Sequence, residues 1–230
     1  MKIVTIHQPE HLSYLGFFHK VSMADTLVLL DNVRYEKNYF QNRNKVNTSA
    51  GVRYVTVPVT NTHTDISEVL IADNYEFVCK KNAKTIEQAY SKCPYWSKYG
   101  NSFLDIYTDY DVYLSLYNER LLKFILNALA IDVDLIKASS LNVIGAKTEL
   151  LASILTNVGA DKYISGCSGR DYLKLEKMPV PVEFQQFAHP IYTQWGKTEF
   201  QPCMSVIDAL FNVGSDIMNI IKSCNNGKGR

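Results

Sequence analysis

The N-terminal part of the chain alternates between short apolar runs and one amphipathic segment. A β-branched run at residues 3–6 ends just before Pro9, which cannot donate a hydrogen bond within a sheet. Apolar side chains recur at helical spacing over residues 12–23, and a second apolar run at residues 26–30 is followed by Asp31. Strand, helix and strand over about 30 residues predict a βαβ unit with two parallel strands.

Beyond residue 31 the pattern of apolar and polar positions predicts further elements of both types. We predict strands at 53–59, 133–137, 162–165 and 180–187, and helices at 76–89, 95–107, 111–129, 148–157 and 205–211. Residues 38–46 and 53–59 flank a turn-forming stretch, Asn-Thr-Ser-Ala-Gly, and so predict a small β-hairpin.

The order of these elements predicts an α/β fold. We expect a Rossmann-like, mostly parallel sheet flanked by helices, with a helical insertion and the small β-hairpin. The expected organisation is an N-terminal βαβ half with the hairpin at 1–73, the helical insertion at 74–130, a C-terminal half at 131–224 and a flexible tail at 225–230.

Composition and charge narrow the class of protein. Of the 230 residues, 47% are apolar and 20% are charged, which is typical of a globular protein. The net charge of +1 gives no overall field that favours nucleic acid or an anionic membrane, and no apolar run is long enough to span a bilayer. The chain enters its first strand without the apolar stretch of a secretion signal, so we expect a cytoplasmic protein.

The five cysteines lack the spacing of a metal site and are expected to be reduced.

Polar side chains follow the first two predicted strands. His7 and Gln8 come after the first strand, and Asp31 follows the second. The carboxyl ends of parallel strands face the ligand crevice of an α/β sheet, so these side chains predict a catalytic or binding site. His7 suits a general base, a role that Asp31 could also fill. A buried histidine that bonds the neighbouring loop is the alternative for His7, and both interpretations stay open.

A turn with two glycines, Ser165-Gly166-Cys167-Ser168-Gly169, follows a predicted strand. The glycines let backbone N–H groups point into the crevice, and a following helix would add partial positive charge. We therefore expect Ser165, Gly166, Ser168 and Gly169 to bind a phosphate or a carboxylate. A tight turn with Ser168 as helix N-cap is the alternative. Cys167 is a candidate nucleophile, but we favour a small filler residue there.

A dense polar run begins soon after Asp31. Gln41, Asn42 and Arg43 supply amide and guanidinium groups that suit carboxylate or phosphate recognition. Tyr35 or Tyr39 could stack on a base or a sugar. A solvated hairpin edge would have a similar composition, so the binding role is one of two interpretations.

Weaker candidates lie elsewhere in the chain. His189, which precedes a proline, is one candidate ligand-binding residue. Asp208 and Asn212 are one helical turn apart and could face the crevice or cap a neighbouring element. We expect Lys20, on the first helix, to lie on a solvated face.

An ordered set of short motifs extends over nearly the whole chain outside residues 74–130. The motifs are His7-Gln8-Pro9, Leu15-Gly16-Phe17-Phe18-His19-Lys20, Ala24-Asp25, Leu30-Asp31-Asn32-Val33, Gln41-Asn42-Arg43-Asn44, Thr56-Val57-Pro58-Val59, Tyr163-Ile164-Ser165-Gly166, Ser168-Gly169-Arg170-Asp171-Tyr172, His189-Pro190-Ile191-Tyr192, Ser205-Val206-Ile207-Asp208 and Phe211-Asn212-Val213-Gly214. Each motif alone is weak, but together and in this order they resemble the WbqC-like family.

The resemblance implies a role in making a surface-polysaccharide sugar, because the family is named from genes of bacterial O-antigen clusters. It supplies no agreed catalytic residues. The chain has Glu10-His11 where the family usually has Asn-Tyr, Tyr14 for Trp, Asn32 for a second Asp and Cys167 for Pro. The last change argues against a family-wide cysteine nucleophile. Asn32 leaves a single carboxylate at this strand end, so we expect no metal site there.

The function that combines these features is that of an enzyme of O-antigen sugar biosynthesis. We expect a transferase that acylates the amine of a nucleotide-linked amino sugar and draws on an acyl-CoA or an acyl carrier protein. A homodimer is left open. A nucleotidyltransferase of the same pathway is one alternative, although the chain lacks an HxGH motif. A non-catalytic nucleotide-sugar-binding or scaffolding protein is the other.

Overall fold

A computed structural model describes residues 1–197 and 199–226. The strands are β1 (Ile3–His7), β2 (Thr26–Leu29), β3 (Arg43–Thr48), β4 (Gly51–Thr56), β5 (Val59–Thr60), β6 (Leu70–Ile71), β7 (Asp134–Lys137), β8 (Lys162–Ser165) and β9 (Val182–Phe184). The α-helices are α1 (Leu15–Val21), α2 (Tyr75–Tyr90), α3 (Trp96–Thr108), α4 (Leu114–Ala128), α5 (Thr148–Asn157), α6 (Val206–Val213) and α7 (Ile217–Asn226). The predicted α/β class is confirmed.

The main sheet is parallel throughout, with the strand order β7-β2-β1-β8-β9. From β1 the chain adds β2 and β7 on one side, and then returns to add β8 and β9 on the other. Numbered only among these strands, the order is 3-2-1-4-5, which is that of a doubly wound sheet. The direction of winding changes between β1 and β8, so a ligand crevice is expected at the carboxyl ends of these two strands.

Helices cover both faces of the sheet. Successive side chains of a strand point to opposite faces, so neighbouring residues of β2 pack against different helices. Val28 belongs to a smaller apolar cluster with Ile154 of α5. Its neighbour Leu27 belongs to a larger cluster that also holds residues of α1, the insertion helices α2–α4, α6 and α7. The helices within residues 74–130 therefore share one continuous core with the helices that flank them in sequence.

Some predicted boundaries differ from the observed ones. The hairpin pairs Arg43–Thr48 with Gly51–Thr56, so residues 38–42 form a loop and not a strand. Helix α1 begins at Leu15 and not at residue 12, where Leu12 has a φ of 51°, outside the right-handed helical region. Helix α7 was not predicted at all. The predicted flexible tail overlaps the end of α7, and residues 227–230 lie outside the described part of the chain.

Phe211 of α6 tests the packing between the insertion and the C-terminal helices. Its ring is fully buried and lies 4.9 Å from Trp96 and 5.6 Å from Phe103, measured between ring centroids. Because a large cavity would remain, we expect Phe211→Ala to lower the free energy of unfolding by about 3–5 kcal/mol in chemical denaturation. The matched control is Phe77→Ala on α2, where the side chain is 76% exposed and the expected change is within about 0.5 kcal/mol. Similar losses in both variants would contradict this packing.

Candidate functional site

A cavity of about 680 Å³ lies at the carboxyl ends of the central strands. His7, the last residue of β1, and Ser165, the last residue of β8, both line it, and Leu30 and Gln185 follow β2 and β9 into its wall. Residues 36–40 contribute Glu36, Tyr39 and Phe40 to the same wall. The structure therefore brings three loops that were singled out in the sequence around one cavity, at the place where the strand order predicts a crevice.

The imidazole of His7 lies between a lysine and a glutamate inside this cavity. Its Nδ1 is 2.9 Å from Nζ of Lys20, and its Nε2 is 3.1 Å from Oε1 of Glu10. Nζ of Lys20 also donates to the backbone carbonyl of Ile6 at 3.1 Å. All three side chains line the cavity. Glu10, His7 and Lys20 thus form a continuous hydrogen-bonded chain, which we name the cavity relay.

Local structure explains why these three residues meet. Helix α1 is buried along its whole length, and the side chain of Lys20 lines the cavity and does not lie on a solvated face. Its amine extends back to the end of β1, where the carbonyl of Ile6 and the ring of His7 accept its hydrogen bonds. Phe17, one helical turn before Lys20, packs edge-on against the His7 ring at 4.9 Å. Glu10 is three residues beyond His7, within the same turn.

Burial and charge set the protonation states of the cavity relay. Burial, followed by the positive charge of Lys20, lowers the pKa of His7, which makes the neutral imidazole the stable form. Burial lowers the pKa of Lys20 to about 8. Burial alone would raise the pKa of Glu10, but its electrostatic and hydrogen-bond interactions with the His7 ring, together with a hydrogen bond from Ser13, outweigh burial and lower it. A neutral His7 that accepts from Lys20 at Nδ1 donates from Nε2 to an ionised Glu10.

Aromatic rings and two further lysines complete the cavity wall. Tyr39 and Tyr172 are 44% and 55% exposed, so their rings lie at the mouth, and Tyr39 contacts the ring of Phe40 at 5.3 Å. Lys45 and Lys147 line the cavity as well. The cavity wall therefore combines flat aromatic faces and positive charge with the cavity relay.

The Ser165–Gly169 turn forms one wall of the cavity, as expected from its position after β8. It leads into a short 3₁₀ turn over Cys167–Asp171, closed by a hydrogen bond of 3.0 Å from Gly169 N–H to the carbonyl of Gly166. The N–H groups of Cys167 and Ser168 precede that bond, so the turn itself does not use them. A Cβ at Gly169 would collide with Oγ of Ser165 unless that side chain moved, so the turn packs closely against the end of β8. Cys167 lines the cavity and is exposed, not buried as a filler would be.

Asp31 lies beside the cavity and does not line it. Its carboxylate is buried and accepts two hydrogen bonds from Ser139, one from the backbone N–H at 2.8 Å and one from the hydroxyl at 2.7 Å. The carboxylate therefore joins the end of β2 to the residues that follow β7. This contact leaves His7, of the two predicted catalytic residues, as the one that reaches the cavity.

The polar run after Asp31 supports the cavity more than it lines it. Gln41 donates to the side chain of Gln8 at 2.8 Å and accepts from the backbone N–H of Glu36 at 2.9 Å, so it joins two cavity loops. Asn42 donates to the carbonyl of Val57. The guanidinium of Arg43 donates to the carbonyl of Asn38 and lies 4.9 Å above the ring of Tyr54, and Tyr35 is part of the apolar core.

Asp208 is the centre of a buried network away from the cavity. Its carboxylate accepts from the hydroxyls of Tyr90 and Tyr192 at 3.0 and 2.8 Å and from the amide of Gln194 at 2.8 Å. Burial raises the pKa of Asp208, although the three donors offset part of that shift. Asn212 accepts from the N–H of Trp195 at 2.6 Å, so both predicted residues of α6 hold the segment that precedes the helix.

His189 is also engaged within this segment. Its Nδ1 donates to the carbonyl of Pro190 at 2.8 Å, and its Nε2 accepts from the backbone N–H of Cys203 at 3.1 Å. Cys203 lines the cavity, so His189 positions a wall residue without facing the cavity itself.

Two residues of the cavity relay were missed or misplaced by the sequence analysis. Lys20 was expected on a solvated face, and that expectation is wrong, since the residue is only 3% exposed. Its position three residues after Phe17 put it on an apolar helix face, and this signal was present in the sequence. Glu10 was noted only as a departure from the family pattern. Its spacing from His7 gave no sign of the contact that the turn creates.

Comparison with known proteins agrees with the motif order. A family model described as the WbqC-like protein family matches residues 8–220, a range that includes the helical insertion. This chain belongs to the WbqC-like family. Among its relatives, the uncharacterized protein Rv1507c of Mycobacterium tuberculosis (strain ATCC 25618 / H37Rv) is 31% identical over 233 residues, which cover 97% of this chain and 99% of the relative. No solved structure matches the chain.

Two negative observations apply to the described part of this WbqC-like protein. Within residues 1–197 and 199–226, every helix is too short or too polar to cross a bilayer. The same residues contain no group of three or more His, Cys, Asp and Glu side chains that could hold a metal ion.

The Asp208 network gives a test of its structural role. Asp208→Ala would leave three buried donors without their acceptor, so we expect the free energy of unfolding to fall by about 3 kcal/mol. Asp216→Ala, at an exposed position near the start of α7, is the control and is expected to change it by less than about 0.5 kcal/mol. Urea denaturation measures both. A stable Asp208→Ala variant would show that the carboxylate is not needed for folding.

Proposed function

We propose that this WbqC-like protein is a transferase that acylates the amine of a nucleotide-linked amino sugar, in the biosynthesis of a surface polysaccharide such as O-antigen. The cavity relay carries the proposal. An amine must lose a proton as it forms an amide, and a buried chain of ionisable groups in a ligand-sized cavity is suited to accept that proton.

The proton balance of the reaction assigns a role to each member of the relay. The amine attacks the carbonyl carbon of an activated acyl donor, an acyl-CoA or an acyl carrier protein, and the thiol of that donor leaves as the C–N bond forms. Both nitrogens of His7 are already hydrogen-bonded, so His7 connects the two ends of the relay and does not accept the proton alone. Glu10 and Lys20 are the ends that exchange protons with a ligand, and the Glu10 carboxylate also attracts the ammonium form of the sugar.

The remaining walls suit the nucleotide part of the amino-sugar substrate. A volume of about 680 Å³ falls within the usual range of small-molecule sites. The N–H groups of the Ser165–Gly169 turn, with Lys45 and Lys147, provide donors and positive charge for phosphate oxygens. The exposed rings of Tyr39 and Tyr172 offer flat faces for a base. Lys45 and Lys147 take over the charge-neutralising role that the sequence suggested for Arg43.

A histidine substitution separates catalysis from binding. We expect His7→Ala to lower the turnover of acyl transfer by about 100-fold or more, because the ends of the relay lose their connection. Nucleotide-sugar affinity, measured by calorimetry, should change by less than about threefold, since the nucleotide is held by other walls. His63→Ala, at an exposed position, is the control and should leave both quantities unchanged. Equal losses of turnover and affinity in His7→Ala would point to a structural histidine.

The pH dependence tests the protonation states. Lys20 is protonated below its pKa of about 8 and cannot accept a proton there, so the rate should rise with pH and level off above about pH 8. A matched profile of Lys20→Met should lack this ionisation, while any ionisation of the substrate amine stays common to both profiles. Identical profiles for the two proteins would exclude Lys20 from the proton path. Release of pyrophosphate from a nucleoside triphosphate would instead favour nucleotidyl transfer.

A further inference from the structure

The hydrogen-bond acceptors around the Lys20 amine match its neutral form. In the described part of the chain, Nζ bonds the carbonyl of Ile6 and Nδ1 of His7, and no carboxylate lies within ion-pair distance of it. Both partners are acceptors, since Nε2 of His7 donates to Glu10. A neutral lysine amine has two N–H donors and one lone pair. The two acceptors therefore satisfy the neutral amine completely, and the lone pair is left over.

The ammonium form fits this environment less well. It has a third N–H, for which the described residues provide no acceptor, and its charge is buried. Burial accordingly lowers the pKa of Lys20 to about 8, while the charges of Glu10 and Cys167 raise it only in part. Because Lys20 lines the cavity, the third tetrahedral position of Nζ is where a ligand atom would approach.

We propose that Lys20 is a nucleophilic amine that captures an aldehyde or a ketone in the cavity as an imine. A desolvated, partly neutral lysine next to an acid–base group is the arrangement that imine formation requires. The site would thus take carbonyl compounds of sugar-like size, in addition to any amine substrate.

The chemical step uses only groups that the cavity holds. The Nζ lone pair attacks the carbonyl carbon to form a C–N bond, and the carbonyl oxygen takes up the proton that Nζ releases, giving a carbinolamine. As the nitrogen lone pair forms the C=N bond and expels the hydroxyl, Nδ1 of His7 takes the remaining N–H proton and passes it to the departing oxygen, which leaves as water. His7 is neutral before and after this step. One carbonyl compound is consumed and one water is released.

The proposal does not depend on acyl transfer. Acyl transfer requires an amine ligand and an activated donor, whereas imine formation requires only a carbonyl ligand and a neutral Lys20. A protein that captures aldehydes without acylating amines would support this inference and contradict the proposed function. The reverse result would contradict the inference alone.

Reductive trapping tests the proposal with the intact chain. The protein is treated with glycolaldehyde and sodium cyanoborohydride at pH 7.5, and the labelled lysines are located by peptide mass spectrometry. At that pH an amine with a pKa of about 8 is about one-quarter neutral, against about 0.1% for an ordinary lysine. We therefore expect Lys20 to be labelled at least tenfold faster than Lys45, which lines the same cavity and serves as the internal control.

Two further measurements keep the result unambiguous. In urea-unfolded protein the rate advantage of Lys20 should disappear, because it comes from the folded cavity. In His7→Gln, labelling of Lys20 should slow while that of Lys45 stays the same, since the group that carries the proton from the nitrogen to the departing oxygen is gone. Labelling of Lys20 no faster than that of Lys45 in the folded protein would overturn the proposal, and so would a rate advantage that persists in urea.

Discussion

The burial of one lysine amine is the constraint on which the site of this WbqC-like protein depends. A cation removed from water is costly unless nearby groups accept its hydrogen bonds and balance its charge. At Lys20 the carbonyl of Ile6 and the ring of His7 provide the acceptors, and Glu10 balances the charge from the far side of the imidazole. The three side chains are therefore interdependent, and the loss of one changes the protonation of the other two.

The parallel sheet makes this arrangement feasible. The last residue of β1 still pairs with β2, and its carbonyl accepts from the N–H of Leu30 at 2.8 Å, but its side chain lines the cavity where the strand order changes direction. The following turn supplies Glu10, and α1 then returns along the sheet with its whole surface covered. A short stretch of chain, from residue 6 to residue 20, thus contains both the acceptors and the donor.

The sequence predicted the architecture well and the site only in part. Strand and helix periods gave β8 and α5 with their observed bounds, because both elements are short and clearly delimited by turn residues. The strand-end rule located His7 and Ser165 correctly at the cavity. It could not show that the Asp31 carboxylate is hydrogen-bonded to Ser139, more than one hundred residues away. That contact depends on how the ends of β2 and β7 are aligned. Nor could it show that Asp208 is a buried acceptor, since its donors come from distant segments.

The Asp208 network restrains one side of the cavity more firmly than the other. The segment that carries Cys203 is tied to α6 by buried hydrogen bonds of Tyr192 and Gln194 to Asp208, so moving that side would break buried contacts. Asp208 also accepts from Tyr90 of α2. The loop at 36–40 is exposed along its length, and Gln41 joins it to Gln8 by amide contacts. Local opening of the cavity is therefore expected at residues 36–40, where few buried contacts must break, and not at the Cys203 side.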